Sequence, residues 1–153
     1  MQLSLHSDYA LRVLLYLGTH PGEIVSTRQI SDAYGISKNH LVRVVQTLSE
    51  HGYVELLPGR SGGVRLARDP AHIKLGEVVR HSEPILRLVE CFDPATNTCP
   101  IIDICGLRGY LNQALLAFIA TLNQHTLSEL LTPSRRIKRH AVFVQLRAEA
   151  NSR

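Results

Sequence analysis

The chain has 153 residues, a net charge of +4, 44% hydrophobic and 20% charged residues. That is the balance of one globular domain, or of a small domain with an extension, and it excludes intrinsic disorder and short-period repeats. No uninterrupted apolar run approaches the roughly 18 residues needed to cross a bilayer, and the first apolar segment carries Asp8 and Arg12, unlike a secretory signal. The expected location is therefore cytoplasmic, where thiols stay reduced and clustered cysteines point to metal or redox chemistry.

Leu5, Leu11, Leu14, Leu15 and Leu17 recur at helical spacing, which predicts a first helix started by Ser7 or Asp8 and stopped by Gly18. STRQISDAYG predicts a short second helix with Ser26 or Thr27 as N-cap and Gly35 in the left-handed C′ position. Ser37 then caps KNHLVRVVQTLSEHG, ending at Gly52. On this third helix Leu41, Val44, Val45 and Leu48 fall on one face, leaving Lys38, Asn39, His40, Arg43, Gln46 and Thr47 on the other. YVELL and VRLAR, joined by PGRSGG, read as two strands around a tight turn. The fold class is thus mainly α with a small β-hairpin wing, a winged helix-turn-helix over residues 1–80.

A short helix is expected at 73–79, then an apolar stretch after Pro84, then a loop through the three cysteines. GLRGYLNQALLAFIATLNQ predicts a long helix with a seam of Leu111, Leu115, Phe118 and Leu122, while Leu107, Leu116 and Ile119 populate other faces. A surface that wide is read as a dimerisation helix packed on its own domain and on a partner, the alternative being the central helix of a monomeric bundle. Residues 81–131 form this second unit, closed by a short helix with capping-box spacing at Thr126 and Glu129. Residues 132–153 hold six Lys/Arg against one Asp/Glu and are expected to be a solvated basic tail rather than a DNA-touching arm.

The first 80 residues hold nine Lys/Arg against seven Asp/Glu, a mild basic excess that suits nucleic acid. A helix-turn-helix inserts the N-terminal part of its second helix in the major groove, so Lys38, Asn39, His40, Arg43, Gln46 and Thr47 are the candidate base readers. Arg60, at the wing tip between glycines, suits phosphate or a narrow minor groove, and Arg28 suits the flanking backbone. For each of them a solvated surface position is the plain alternative.

Cys91, Cys99 and Cys105, the only cysteines, share a 15-residue stretch with C-x7-C-x5-C spacing. Pro94, Pro100 and Gly106 can bend the backbone around a small inorganic core. By pattern alone the stretch suits an iron–sulfur cluster, a zinc site or a redox thiol pair, and three thiolates leave a four-coordinate site one ligand short. Any histidine, a carboxylate, water or an outside thiol could complete it, and an Asp near a helix start, such as Asp8, is by itself more often a cap. No nucleophile elbow or phosphate loop occurs, so no enzyme is expected.

ISKNHLVRVVQTLSEHGYVELLPGRSGGVRLARDP, followed by IKLGEVVRHSE, the cysteine triplet and AFIATLNQHTLSELL, resembles the IscR/NsrR family of bacterial iron–sulfur winged-helix regulators over residues 1–131. The closest likeness is to its nitric oxide-sensing repressors. That resemblance implies a homodimer in which each cysteine loop holds a cluster, [4Fe–4S] with [2Fe–2S] as the alternative, near the DNA-binding domain of the other protomer. It further implies a non-cysteine ligand from the partner's first helix, a position matched by Asp8, with Arg12 one turn on beside it and His6 as the second candidate. The implied activity is operator binding by the intact form and release on nitrosylation. Two rivals are a same-fold sensor of redox state or cluster supply and a zinc-stabilised adaptor protein.

Overall fold

A computed structural model describes residues 2–59, 62–83, 86, 88–132 and 142. Arg60 and the expected basic tail, Thr132 and Val142 apart, lie outside the described residues. Helix α1 (Leu5–Gly18) is the centre of the domain and packs on α3 (Lys38–Glu50), α4 (Leu75–Ser82) and α6 (Leu127–Leu130). Val13, Leu14, Tyr16 and Leu17 of α1 are all fully buried.

Its start corrects the expectation. Ser4 is the N-cap, its Oγ accepting from the Ser7 amide at 3.2 Å, and Asp8 sits inside the first turn. Ser7 cannot serve as the cap because its side chain is wholly buried, where its Oγ accepts a hydrogen bond from Ser82 Oγ at 2.9 Å. Gly18 ends the helix as expected, but it is needed for a close approach, since a Cβ there would collide with Leu131.

Helix α2 (Thr27–Tyr34) has Ser26 as N-cap in a full capping box with Gln29, and Gly35 follows it at φ +65°. Ser37 caps α3, whose Leu41, Val44, Val45 and Leu48 are buried as the periodicity requires. Strands β1 (Val54–Leu57) and β2 (Gly63–Leu66) pair antiparallel from Val54 with Leu66 to Leu57 with Gly63. Val25 adds a bridge to Val64, with mutual amide bonds of 2.8 and 2.9 Å. A Cβ at Gly63 would strike the Val25 carbonyl, so this bridge passes only over glycine.

Helix α4 starts two residues later than expected. Ile73 is buried but extended, because its carbonyl accepts from the Leu127 amide at 2.9 Å and the Leu75 amide donates to His125 at 3.0 Å. Pairing with a segment 50 residues downstream outcompetes one more turn of helix. The long helix α5 (Leu107–Asn123) crosses α4 at Gly76, where any side chain would meet the Ile119 carbonyl and Asn123. Thr126 and Glu129 form the expected capping box on α6. Among the described residues no helix is long and apolar enough to cross a membrane.

Three rings tie the end of α3 to α4. The buried Tyr53 hydroxyl lies 2.8 Å from His81 Nδ1, and the His81 ring stacks on His51 at 4.1 Å. Burial, with Glu77 adding to it, pushes the Tyr53 phenol up to about 12, so it stays protonated in its hydrogen bond with His81. Burial and then the neighbouring His51 lower the His81 pKa. The unfolded chain therefore binds a proton at His81 more readily than the fold does, and stability present above the ordinary histidine range declines as pH falls through it. Urea midpoints should drop between about pH 7.5 and 5.5 and drop less in His81→Gln. An equal drop in both proteins would dismiss His81 as the cause.

Candidate nucleic-acid interface and thiol loop

The solvent face of α3 follows from its capping and its amphipathic period. Lys38, Asn39, His40, Arg43 and Gln46 are exposed and Thr47 is half-buried. Two of them are already engaged. Gln46 Nε2 donates to Glu50 Oε1 at 3.1 Å, and Thr47 Oγ1 shares a hydrogen bond with His6 Nε2 of α1 at 3.2 Å. At the other end of the helix the His40 ring lies 6.2 Å from Tyr9. A cleft of about 220 Å³ separates the two helices here, lined by Leu5, His6, Tyr9, His40, Arg43 and Val44. Arg28 projects from the start of α2 with its side chain 85% exposed and only a loose 3.8 Å approach to Asp32. In the wing, Arg65 is held across the strands by Glu55 at 2.8 Å, and Gly59 takes φ +102° at the turn that leads to Arg60.

All three cysteines are free and half-buried on one segment between α4 and α5. Cys91 lies in a 3₁₀ turn, Glu90–Phe92. Asp93 then folds the backbone back by accepting from the Ala95 amide and Thr96 Oγ1, and Asn97 Oδ1 accepts from the Cys99 amide. Cys105 stands immediately before α5 on the wall of a cavity of about 580 Å³, with Phe92, Ile102, Arg108, Asn112 and Leu115. Among the described residues no three His, Cys, Asp or Glu side chains come together as a metal site. The loop thus carries all three thiols, half-buried, without closing them into a coordination sphere. In kind they fit an iron–sulfur cluster: three cysteine donors and a void beside Cys105 lined by both apolar and polar side chains.

Asp8 and Arg12 form a two-point ion pair along α1, with Arg12 Nη2 at 2.6 Å and Nε at 3.0 Å from the two carboxylate oxygens. Both side chains remain about 40% exposed (39% for Asp8 and 42% for Arg12), so the carboxylate is open to a group approaching from outside. The arginine also lies 5.9 Å from the ring centres of Tyr9 and Tyr34.

The seam on α5 divides. Leu115 is buried inside the protomer together with Ile119, while Leu111, Phe118 and Leu122 are half-buried. Phe118 and Leu122 line an apolar cleft of about 300 Å³ against Leu11, Leu15, Val79 and Leu130. Leu107, Tyr110 and Leu116 are 59%, 73% and 54% exposed. The link from His6 to Thr47 was not foreseen as a contact, since the two residues are 41 positions apart and only the packing of α1 on α3 brings them together.

Residues 3–133 match the model of the Rrf2 family, described as iron-dependent transcriptional regulators. The chain is 48% identical over 132 residues to the HTH-type transcriptional regulator NsrR of Bacillus subtilis, covering 86% of this chain and 90% of that protein. A putative transcriptional regulator from Listeria innocua superposes with a TM-score of 0.70 at 27% identity, over 88% of each chain. T. potens IscR shares the fold with a TM-score of 0.68 at 23% identity, again over 88% of each chain. A winged helix-turn-helix with a polar reading face, matched along nearly its whole described length, is therefore a transcriptional regulator and no enzyme, and the chain belongs to the Rrf2 family.

Proposed function

We propose that the protein is a homodimeric repressor that holds a [4Fe–4S] cluster on Cys91, Cys99 and Cys105, completed by Asp8 of the partner subunit, and releases operator DNA on exposure to nitric oxide. The observation that carries this reading is three free thiols on one loop, in a chain whose reading domain offers a half-exposed carboxylate at Asp8. The likeness to a regulator named NsrR supports the choice of signal. When bound, the cluster supplies iron open to a diatomic ligand at the position held by the carboxylate, a hard and weakly held donor among thiolates.

Asp8, once displaced, remains paired to Arg12 on α1 and no longer ties that helix to the other protomer. The reading domain is then free to rotate, which takes α3 out of register with its half-site. A 100-fold loss of operator affinity needs a coupling of about 2.7 kcal/mol, within the ordinary allosteric range. The dimer is built on α5: at 100° per residue, Leu107, Tyr110 and Ala114 extend the seam of Leu111 and Phe118 on the side away from buried Leu115 and Ile119, and Leu122 closes its far end.

On the DNA, Arg43 and Asn39 read base edges with Lys38, His40, Gln46 and Thr47 around them, and Arg28 and Arg60 hold phosphates. Arg43→Ala and Asn39→Ala should each cost about 1–3 kcal/mol at single operator positions, measured against a panel of point-mutated sites. Arg60→Ala should weaken binding evenly across the panel. Equal losses on operator and random DNA for all three variants would remove α3 from the reading role.

The test of the whole reading is a nitric oxide titration of anaerobically purified protein, followed by absorption and by gel shift on its own promoter. A brown protein that binds the promoter and releases it in step with cluster nitrosylation is expected. A colourless protein, or release driven by oxidants and not by nitric oxide, would overturn it.

A further inference from the structure

We infer that His6 is a positioning residue through which α1 sets the register of the reading helix, by its hydrogen bond to Thr47. This rests on the reading of α3 as the DNA element and of Asp8 as the group whose state α1 reports. The deep side of the α1–α3 contact is close-packed through Leu14, Leu17, Leu41 and Leu48. Towards the DNA side the same two helices are held apart by the 220 Å³ cleft, so on this side register is not set by interdigitated side chains. Two side-chain pairs join the helices at this cleft instead, the hydrogen bond of His6 Nε2 with Thr47 Oγ1 at 3.2 Å and the Tyr9 and His40 rings, whose centres are 6.2 Å apart.

They grip α3 two turns apart, near its N-terminus and in its second half, which makes them a lever on the helix tilt. Both anchors leave α1 within one turn of Asp8, and the Arg12 guanidinium that pairs with Asp8 lies 5.9 Å from the Tyr9 ring. Asp8, Arg12, Tyr9 and His40 thus form a row of neighbouring side chains leading to α3, and His6 leaves α1 two residues before Asp8. The hydrogen bond also selects the Thr47 rotamer, and a fixed hydroxyl on the margin of the reading face can discriminate where a rotating one cannot. With its Nε2 directed at Thr47 in this way, His6 acts on the reading helix.

The test is a double-mutant cycle of His6→Ala, Thr47→Val and the pair, each prepared as the full-length dimer with and without cluster. Affinity for the operator and for random DNA is read alongside the absorption spectrum and the melting curve. Wild type comes first: equal operator affinity with and without cluster would defeat the functional reading itself. Where wild type responds, His6→Ala should lower operator affinity of the loaded form by about three- to tenfold, the range of one hydrogen bond, with random-DNA affinity and spectrum unchanged. The double variant should bind no worse than Thr47→Val, and His6→Gln, which keeps a hydrogen-bonding group at that reach, should recover most of the loss. Additive losses in the cycle, no loss in His6→Ala, or an equal loss on random DNA would overturn the proposal. An altered spectrum in His6→Ala would do the same by making the residue a ligand.

Discussion

Replacing any one of Cys91, Cys99 or Cys105 by serine is expected to abolish a stable cluster while leaving a folded dimer. A serine hydroxyl keeps the shape of the side chain but is smaller and far less acidic than a thiol, so a thiolate site loses a donor outright. None of the three belongs to the buried core, which is built from α1, α2, α3, the wing and the segments around Ile73 and Leu127. The fold should therefore lose little when one sulfur is removed, and melting of each variant should match that of wild-type protein stripped of iron. Iron and sulfide content should fall to background in all three, and operator affinity should fall to that of the cluster-free protein. Full cluster occupancy in any one variant would remove that cysteine from the ligand set.

Asp8→Ala is the second large effect. Three thiolates should still assemble a cluster, now with an exchangeable small ligand on the fourth position. Operator affinity should fall by about tenfold to a hundredfold before any nitric oxide is added, because the bond between the reading domain and the other protomer is gone. Asp8→Cys should hold the cluster more firmly and slow the reaction with nitric oxide. A purely structural Asp8 predicts something much smaller. Ser4 is the cap of α1, so only the i,i+4 pair with Arg12 would be lost, worth about 0.3–0.5 kcal/mol at an exposed site. Native spectra, native nitric oxide kinetics and native operator affinity in Asp8→Ala would end the cross-protomer ligand idea.

Much of the reading domain was legible in the residues because its signals are local. Ser26 with Gln29, Ser37, and Gly35 at φ +65° place the ends of α2 and α3 by contacts within a few residues. The buried quartet of α3 and the antiparallel wing follow from periods of 3.6 and 2, which need no knowledge of what lies opposite. The clustering of the three cysteines was equally visible.

The failures each involve a partner distant in the chain. Ser7 carries every mark of an N-cap, yet Ser82, 75 positions away, draws it into the interior and moves the cap to Ser4. The start of α4 depends on strand-like pairing of residues 73–75 with 125–127, and the division of the α5 seam depends on where Gly76 lets α4 approach. What the residues determined alone was therefore element type, capping and the polar, exposed face of α3, all governed by backbone propensity and side-chain chemistry within a turn or two. Tertiary packing alone decided which face of α5 stayed exposed, how far Asp8 stayed open, and that His6 meets Thr47, because burial and hydrogen bonding between segments tens of residues apart depend on how the helices cross.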